Sequence, residues 1–304
     1  MDKGIEVELV DLDEKDNNKQ GKNQEKKQKK SNLKSFLLIA FTFIILLVLG
    51  ILFITHYFKR KNKIELIIAN NYDEMSKLAA EIFSDLIKRN PNSILGLATG
   101  STPLGLYNEL IKKNKNKEIT FKNISTYNLD EYCGIPLNHS QSYFSFMKNH
   151  LFNFIDINLD NTHIPKGEGD IEMNVKNYEE ALGKNKINLQ LLGVGRNGHI
   201  GFNESGTHFK IGIHEVDLDE KTIHDNARFF ENDINKVPKK AITMGIKNIL
   251  DADTIVLMAN GTKKADAIKY VMSGIVDENI PVSALNTHKG KVYVIVDKDA
   301  ASKL

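Results

Sequence analysis

From residue 63 to the C-terminus, short apolar segments alternate with segments of helical periodicity, and this alternation constrains the fold most. The predicted strands cover residues 63–69, 94–98, 124–128, 189–194, 254–259 and 291–296, and the clearest helices cover residues 72–88, 103–113 and 263–272. Short strands that are apolar on both faces are typical of a parallel sheet covered by helices. The sequence therefore predicts an α/β fold with an open, mostly parallel sheet covered by helices.

A run of 23 residues, 36–58, contains no Asp, Glu, Lys or Arg. About 20 apolar residues suffice to cross a hydrocarbon core of roughly 30 Å. Basic residues flank the run, and no small-residue cleavage site follows it, which disfavours the alternative of a cleaved signal peptide. We therefore expect one transmembrane helix over residues 35–59, and hence a single-pass membrane protein.

Residues 1–34 are polar and contain few side chains able to join a core, so we expect a disordered charged tail. Its basic end either contacts anionic lipid headgroups or is a plain solvated linker. The chain then has three parts: the tail 1–34, the helix 35–59 and a globular domain over 63–304. Counting basic residues on each side of the helix weakly favours a cytoplasmic N-terminus.

The overall charge is nearly balanced, with 41 basic and 39 acidic residues and a net charge of +2. This balance gives no reason to expect a nucleic-acid partner. A single cysteine, Cys133, excludes an intrachain disulfide, and no Cys/His spacing typical of zinc is present.

Ligands of open α/β sheets bind outside the carboxyl ends of the strands, so the turns that leave the strands are the informative places. The first such turn reads GLATGSTP over residues 96–103. Gly100 permits a tight turn, and we expect Thr102 to cap the following helix with Pro103 at its first position. A helix start of this kind favours a phosphate, although ordinary capping explains the same residues.

The second turn places two adjacent acids, Asp130 and Glu131, after a predicted strand. A carboxylate at a strand end either serves as a general base or is a turn acid or helix cap. Polar and aromatic residues downstream are expected to complete this wall: His139, Ser140, Ser142 and Tyr143.

The third turn, GVGRNGHIGFNE over residues 193–204, contains four glycines. Glycines at this density indicate a backbone held close to a ligand. His199 precedes Glu204 by five residues, which allows the acid to orient the imidazole.

Two basic residues, Arg228 and Lys264, occur later in the chain, and Lys264 follows a predicted strand. Arg binds phosphate bidentately and Lys binds it as a point charge. Either residue could equally be an ordinary surface charge.

Taken together, these segments resemble the glucosamine-6-phosphate deaminase family from about residue 64 to the C-terminus. The matching pieces, in order, are LGLATGSTP, YNLDEYCGIP, SYFSFM, GVGRNGHIGFNE, NARFFENDINKVPKKAITMGI and GTKKA. The resemblance implies a Rossmann-like sheet and conversion of glucosamine 6-phosphate and water to fructose 6-phosphate and ammonia. It implies no cofactor and no metal, is compatible with a homo-oligomer, and places the catalytic domain in the cytoplasm.

The resemblance also implies roles for individual residues. Asp130 matches the base that moves a proton between C2 and C1, His199 the residue that opens the sugar ring, and Glu204 the acid coupled to it. Asn197 lies where many relatives have Asp. The positions that match the phosphate site are Gly100, Ser101, Thr102, Arg228 and Lys264.

The sequence departs from the family pattern at two places. Ser205 replaces the usual Pro, and residues 207–214 lack the Ser-Arg-Thr-Arg run that contributes to an allosteric site in hexameric relatives. Two alternatives therefore remain beside the deaminase. One is a membrane-tethered sugar-phosphate sensor with little catalysis, and the other is a sugar-phosphate lactone hydrolase on the same fold.

Overall fold

The computed structural model describes residues 29–30, 34, 36–51, 64–183 and 185–304. The chain divides into two units, residues 1–62 and 63–304. In the first, residues 36–51 are helical and most of their apolar side chains are exposed. The rest of the predicted membrane span, and all of the predicted tail except residues 29, 30 and 34, lie outside the described residues. Within the described ranges, no helix combines the length and the apolar character needed to cross a membrane.

The described residues of the second unit, 64–183 and 185–304, form ten strands. They are β1 (Ile64–Ala69), β2 (Ile94–Leu97), β3 (Ser125–Asn128), β4 (Asp130–Tyr132), β5 (Thr162–His163), β6 (Leu189–Leu192), β7 (His214–Asp217), β8 (Lys240–Thr243), β9 (Thr254–Ala259) and β10 (Lys291–Asp297). Seven of them form one sheet in the order β1-β10-β9-β6-β2-β3-β5. All pairings in this sheet are parallel, so the predicted parallel sheet is confirmed.

In the same described part of the chain, seven α-helices accompany the sheet. They are α1 (Tyr72–Arg89), α2 (Leu104–Lys115), α3 (Tyr143–His150), α4 (Ile171–Gly183), α5 (Glu220–Asn226), α6 (Ile246–Leu250) and α7 (Ala265–Ser273). The side chains that α1, α2, α4 and α7 bury join the strands in one continuous apolar core. The three helices expected from periodicity, α1, α2 and α7, are confirmed to within two residues at each end.

A smaller antiparallel sheet, in the order β4-β8-β7, was not predicted. Its strands are only three or four residues long, and β7 alternates exposed charged residues with half-buried ones. It pairs positions far apart in the chain, with Asp130 opposite Thr243. No local pattern carries that information, because strands this short gain their stability from distant partners.

The strand order reverses between β2 and β6. From β2 the chain builds outwards through β3 to β5, whereas β6, β9 and β10 lie on the other side of β2. The carboxyl ends of β9, β6, β2 and β3 therefore lie side by side, and the four turns identified in the sequence leave the sheet at this one edge. This is the switch point at which open α/β sheets bind ligands.

Candidate active site

A cavity of about 750 Å³ lies at this edge of the sheet. Seven of the nine residues singled out in the sequence line it: Gly100, Ser101, Thr102, Asp130, His199, Arg228 and Lys264. The other two, Asn197 and Glu204, do not line the cavity but contact His199 from behind. The fold thus brings together residues that are separated by more than half of the second unit in sequence.

The turn after β2 is held by a side chain from α1. The Tyr72 hydroxyl donates to the carbonyls of Ser101 and Thr102, at 3.1 and 3.0 Å, and accepts a hydrogen bond from the Gly105 amide at 2.7 Å. The expected cap by Thr102 is wrong, because α2 begins at Leu104 with Pro103 at the capping position and no side-chain cap. Tyr72 takes over the capping role.

The Thr102 hydroxyl instead faces the neighbouring turn. Its Oγ1 lies 3.5 Å from Oδ1 of Asn260, which follows β9. Gly261, next along the chain, donates its amide to both carboxylate oxygens of Asp297 at the end of β10. The turns after β2, β9 and β10 are therefore linked by side-chain contacts along the floor of the cavity.

The cavity has a cationic end. Lys264 is half-buried in a short 3-10 turn before α7, and burial lowers the pKa of its ammonium group. Asp225 acts in the opposite direction and raises this pKa, whereas Arg228 and Arg196 lower it further. Arg196, Arg228 and Lys264 thus lie close enough together to stabilise a bound anion.

Asp130 is the first residue of β4 and is only 6% exposed. Burial, with a smaller contribution from the neighbouring charge of Glu131, raises the pKa of its carboxyl group to about 8. Among the described residues, none donates a hydrogen bond to this carboxylate or pairs with it. Asp130 is thus a buried acid in the cavity wall without a compensating charge.

Aromatic rings surround this part of the cavity. Tyr132 lies 4.9 Å from Tyr143, 5.6 Å from Phe202 and 5.7 Å from Phe230, measured between ring centroids, and all four line the cavity. Rings exclude water and offer little solvation to a charge, which is the physical cause of the raised pKa of Asp130.

The adjacent acid, Glu131, has a different role. Its carboxylate accepts hydrogen bonds from the amides of Tyr132, Tyr143 and Phe144, at 2.9, 2.9 and 3.0 Å. Two of these amides belong to the first turn of α3, so Glu131 is a helix cap. The helix-cap alternative therefore describes Glu131, whereas the role of Asp130 as a general base stays a prediction.

Glu204 is held by three side chains. Nδ1 of His199 lies 3.3 Å from its Oε2, which also accepts a hydrogen bond of 2.9 Å from the Asn197 amide. Thr222 donates its hydroxyl to the other oxygen, Oε1. Burial raises the pKa of Glu204, but His199, Thr222 and Asn197 together outweigh burial and lower it.

The amide of Asn197 bridges the turn. Its Nδ2 donates to Glu204 while its Oδ1 accepts from the backbone amide of His199 at 3.3 Å. A carboxylate at this position could not donate to Glu204. Asn197 therefore holds the acid with an interaction that the more usual Asp lacks.

Two glycines bring the third turn against both groups. A Cβ on Gly195 would overlap the imidazole of His199, so only glycine fits there. A Cβ on Gly201 would lie 3.4 Å from Oδ2 of Asp130, and this glycine has a φ of +57°. One loop thus packs against His199 at its start and against Asp130 near its end.

Of the residues downstream of Asp130 that were expected to complete the cavity wall, some line the cavity and others have structural contacts. Ser140 and Tyr143 line the cavity, whereas Ser142 caps α3 and the ring centroid of His139 lies 6.1 Å from that of Phe230.

Sequence reasoning missed Thr222, Arg196 and Asp225. Thr222 lies 18 positions from the acid that it contacts, and no local motif marks it. In the described part of the chain, no group of three His, Cys, Asp or Glu side chains could hold a metal.

A protein-family model and several known enzymes match most of this chain. The model of the family described as "Glucosamine-6-phosphate isomerases/6-phosphogluconolactonase" matches residues 69–294. A glucosamine-6-phosphate deaminase of Clostridium novyi (strain NT) is 50% identical over 236 residues, which is 77% of this chain and 97% of that protein. One from Thermoanaerobacter sp. (strain X514) is 50% identical over 240 residues, covering 78% of this chain and 94% of that protein.

Solved structures agree. A monomeric glucosamine-6-phosphate deaminase superimposes with a TM-score of 0.76 and 43% identity, over 80% of this chain and 100% of that one. A 6-phosphogluconolactonase of Trypanosoma brucei is similar in fold alone, with a TM-score of 0.63 and 17% identity over 80% of this chain and 98% of that one. On this evidence the chain belongs to the glucosamine-6-phosphate isomerase/6-phosphogluconolactonase family.

Proposed function

We infer that this chain is a glucosamine-6-phosphate deaminase, which converts glucosamine 6-phosphate and water to fructose 6-phosphate and ammonia. The single observation that carries the proposal is the pairing, within one cavity, of an unpartnered buried acid with an imidazole–carboxylate pair. Asp130 supplies the first and His199 with Glu204 the second. About 50% identity to deaminases over most of the chain supports the same reaction.

The cationic end of the cavity binds the phosphate of the substrate. Arg228 and Lys264 supply charge there, and the turn at Gly100, Ser101 and Thr102 supplies backbone amides and hydroxyls. Anchoring the phosphate removes much of the orientational freedom of an open-chain sugar before any proton moves.

His199 opens the sugar ring by moving a proton between the anomeric hydroxyl and the ring oxygen. Glu204 orients the imidazole and stabilises its protonated form, because its lowered pKa keeps it ionised at neutral pH. Asn197 and Thr222 are positioning residues that act through Glu204, since each donates to one of its oxygens.

Asp130 then acts as the base on the open-chain sugar. It takes the proton from C2 and returns it to C1, while O1 gains a proton and the nitrogen at C2 loses one. These transfers convert the C1 aldehyde to an alcohol and leave a C=N bond at C2. Water adds to this bond and ammonia leaves, so one water is consumed for each ammonia released. A base with a pKa of about 8 is well matched to proton transfer near neutral pH.

A lactone hydrolase on the same fold is the second candidate. The lactonases among the solved structures resemble this chain at 17–21% identity, which supports the fold only. The proposed role of Asp130 favours the deaminase, because lactone hydrolysis requires no proton transfer between carbons. A tethered sensor is disfavoured because Asp130, His199 and Glu204 are all present.

The proposal includes a membrane anchor at residues 36–58, with the catalytic unit facing the cytoplasm. The anchor rests on the uncharged run of 23 residues and its basic flanks. The cytoplasmic orientation rests on the proposed substrate, a cytosolic sugar phosphate, because the count of basic residues weakly favours the opposite orientation. Expression of the full chain followed by membrane flotation and alkaline carbonate extraction tests the anchor. Full release of the chain by carbonate would contradict the anchor and leave the enzymatic proposal unaffected.

The enzymatic test follows ammonia and fructose 6-phosphate released from glucosamine 6-phosphate by the full chain. Asp130→Asn is the diagnostic variant, and Asp160→Asn, an exposed acid outside the cavity, is its matched control. We expect turnover by the parent and the control and none above background by Asp130→Asn. Sugar-phosphate binding without turnover by the parent would favour the sensor, and turnover of a 6-phosphogluconolactone alone would favour the hydrolase.

A further inference from the structure

An ion pair crosses the cationic end of the cavity. Arg196, in the turn after β6, places Nε 3.7 Å from Oδ2 of Asp225 on α5. Both residues line the cavity, and their side chains are 48% and 50% exposed. The sheet edge and the α5 segment therefore meet through two oppositely charged side chains that solvent can reach.

Arg196 belongs to the same electrostatic group as the proposed phosphate ligands. It lowers the pKa of Lys264, as Arg228 and Lys263 do, whereas Asp225 raises it. All of these side chains line the same cavity. Four basic side chains and only one acidic side chain, Asp225, therefore contribute to the charge at this end of the cavity. A bound phosphate would add up to two negative charges there.

The Arg196–Asp225 pair is weak by its geometry. A distance of 3.7 Å is longer than a hydrogen bond, and half-exposed ion pairs contribute little because water screens them. Arg binds phosphate through a planar fork of donors, so phosphate is a stronger partner for it than a distant carboxylate.

We propose that Arg196 is a further phosphate ligand, which exchanges its pairing with Asp225 for the phosphate of the substrate when the substrate binds. The inference rests on the proposed function and adds a residue that sets specificity for phosphorylated sugars. Asp225 then competes with the substrate for Arg196. Removal of Arg196 should therefore weaken phosphate binding, and removal of the Asp225 charge should strengthen it.

The test uses a double-mutant cycle on the full chain, with inorganic phosphate as the probe. Its dissociation constant is measured by calorimetry, and its inhibition constant and the KM for glucosamine 6-phosphate are measured in the deaminase assay. Arg196→Gln should weaken phosphate binding and raise KM by about 5- to 10-fold with kcat nearly unchanged. Asp225→Asn should tighten phosphate binding by about 2- to 5-fold.

The double variant decides between exchange and simple charge. If Arg196 exchanges partners, the gain from Asp225→Asn disappears in the Arg196→Gln background. A gain that persists there would mean that Asp225 acts through its charge alone, and it would overturn the proposal. Lys269→Gln, an exposed cation on α7 outside the cavity, controls for loss of one positive charge and should change no constant by more than about 2-fold.

Failures of the two proposals look different. An inactive parent would reject the deaminase reaction, whereas calorimetry would still report on Arg196. An active parent with unchanged phosphate affinity in Arg196→Gln would reject the exchange and leave the reaction intact. If Arg196→Gln does not fold, Arg196→Lys replaces it; we expect an intermediate loss of affinity, and an unchanged affinity there would overturn the proposal.

Discussion

Asp130 packs against the loop over residues 193–204 and Glu204 is the last residue of that loop, but the surroundings of the two acids differ. Asp130 lies among aromatic rings and has no partner among the described side chains, and its pKa is raised to about 8. Glu204 is contacted by His199, Asn197 and Thr222, and its pKa is lowered. One fold thus maintains a carboxyl group that gains and loses a proton near neutral pH beside a second that stays ionised.

The difference shows how two acids of one site acquire separate tasks. A group that must accept and return a proton benefits from a pKa near the working pH, whereas a group that orients an imidazole must stay ionised. Burial, with a smaller contribution from Glu131, provides the first condition, and donated hydrogen bonds provide the second. Substitution of either acid, or of the side chain that donates to Glu204, tests this difference.

The largest effect is expected from Asp130→Asn. It preserves shape but removes the base, so kcat should fall by about 10³- to 10⁴-fold while KM changes little. Steady-state ammonia release measures this, with Asp160→Asn as the control. A loss of kcat below about 10-fold would contradict the assigned difference between the two acids, because Asp130 would then not be the acid that transfers the proton.

Glu204→Gln should have the next largest effect. The amide cannot stabilise a protonated His199, so kcat should fall by about 100-fold. The loss should be smaller than that of Asp130→Asn because the proton acceptor for C2 remains. Equal losses in the two variants would indicate that the acids act as one unit rather than separately.

Thr222 offers a finer test. Thr222→Val keeps the volume but removes the hydroxyl that donates to Oε1 of Glu204, and Thr222→Ser retains the donor. We expect about a 10-fold loss of kcat in the valine variant and rescue by serine, together with a rise in the pKa of Glu204, because its carboxylate loses a donated hydrogen bond. Infrared titration of this carboxyl group, by difference against Glu204→Gln, measures the pKa. A purely structural role would lower the melting temperature without moving the pKa of Glu204.

The smallest effects concern stability, where the two acids should act with opposite sign. The folded pKa of Asp130 is raised above its usual 3.8, so the stability it contributes is present below pH 3.8 and is lost as pH rises through about 8. Asp130→Asn should therefore raise the melting temperature at pH 9 by at least about 3 °C, and by less at pH 5.

Glu204 follows the reverse rule because its folded pKa is lowered. Its stability is present above its usual pKa of 4.5 and is lost as pH falls through the folded value. Glu204→Gln should lower the melting temperature at pH 7 to 9, and the difference should narrow below pH 4.5. Scanning calorimetry of both variants over this range checks the signs together.

The central strands of the main sheet were readable from sequence because they are buried on both faces. The run LQLL of β6 and TIVLMA of β9 predict buried strands without knowledge of their neighbours. The smaller sheet was not readable, since DEY, HEVD and KAIT are short and become strands only by pairing with each other.

The part of the site that lies within a dense motif could be predicted from the sequence. Four glycines beside His199 and Glu204 indicate a functional turn, and Gly195 is required because the imidazole lies where its side chain would be. The separate fates of Asp130 and Glu131 were not readable. They depend on which amides of α3 meet Glu131 and which rings surround Asp130, and both are set by packing between distant segments.

The central claim is that Asp130 titrates near neutral pH while its surroundings stay folded. Infrared difference spectroscopy of the full chain, with the spectrum of Asp130→Asn subtracted, isolates the carbonyl band of this one protonated carboxyl group. We predict a band that persists at pH 6 and disappears as pH rises through about 8, in step with a rise of kcat/KM. A band that disappears near pH 4 would contradict the account, because Asp130 would then be an ordinary solvated acid.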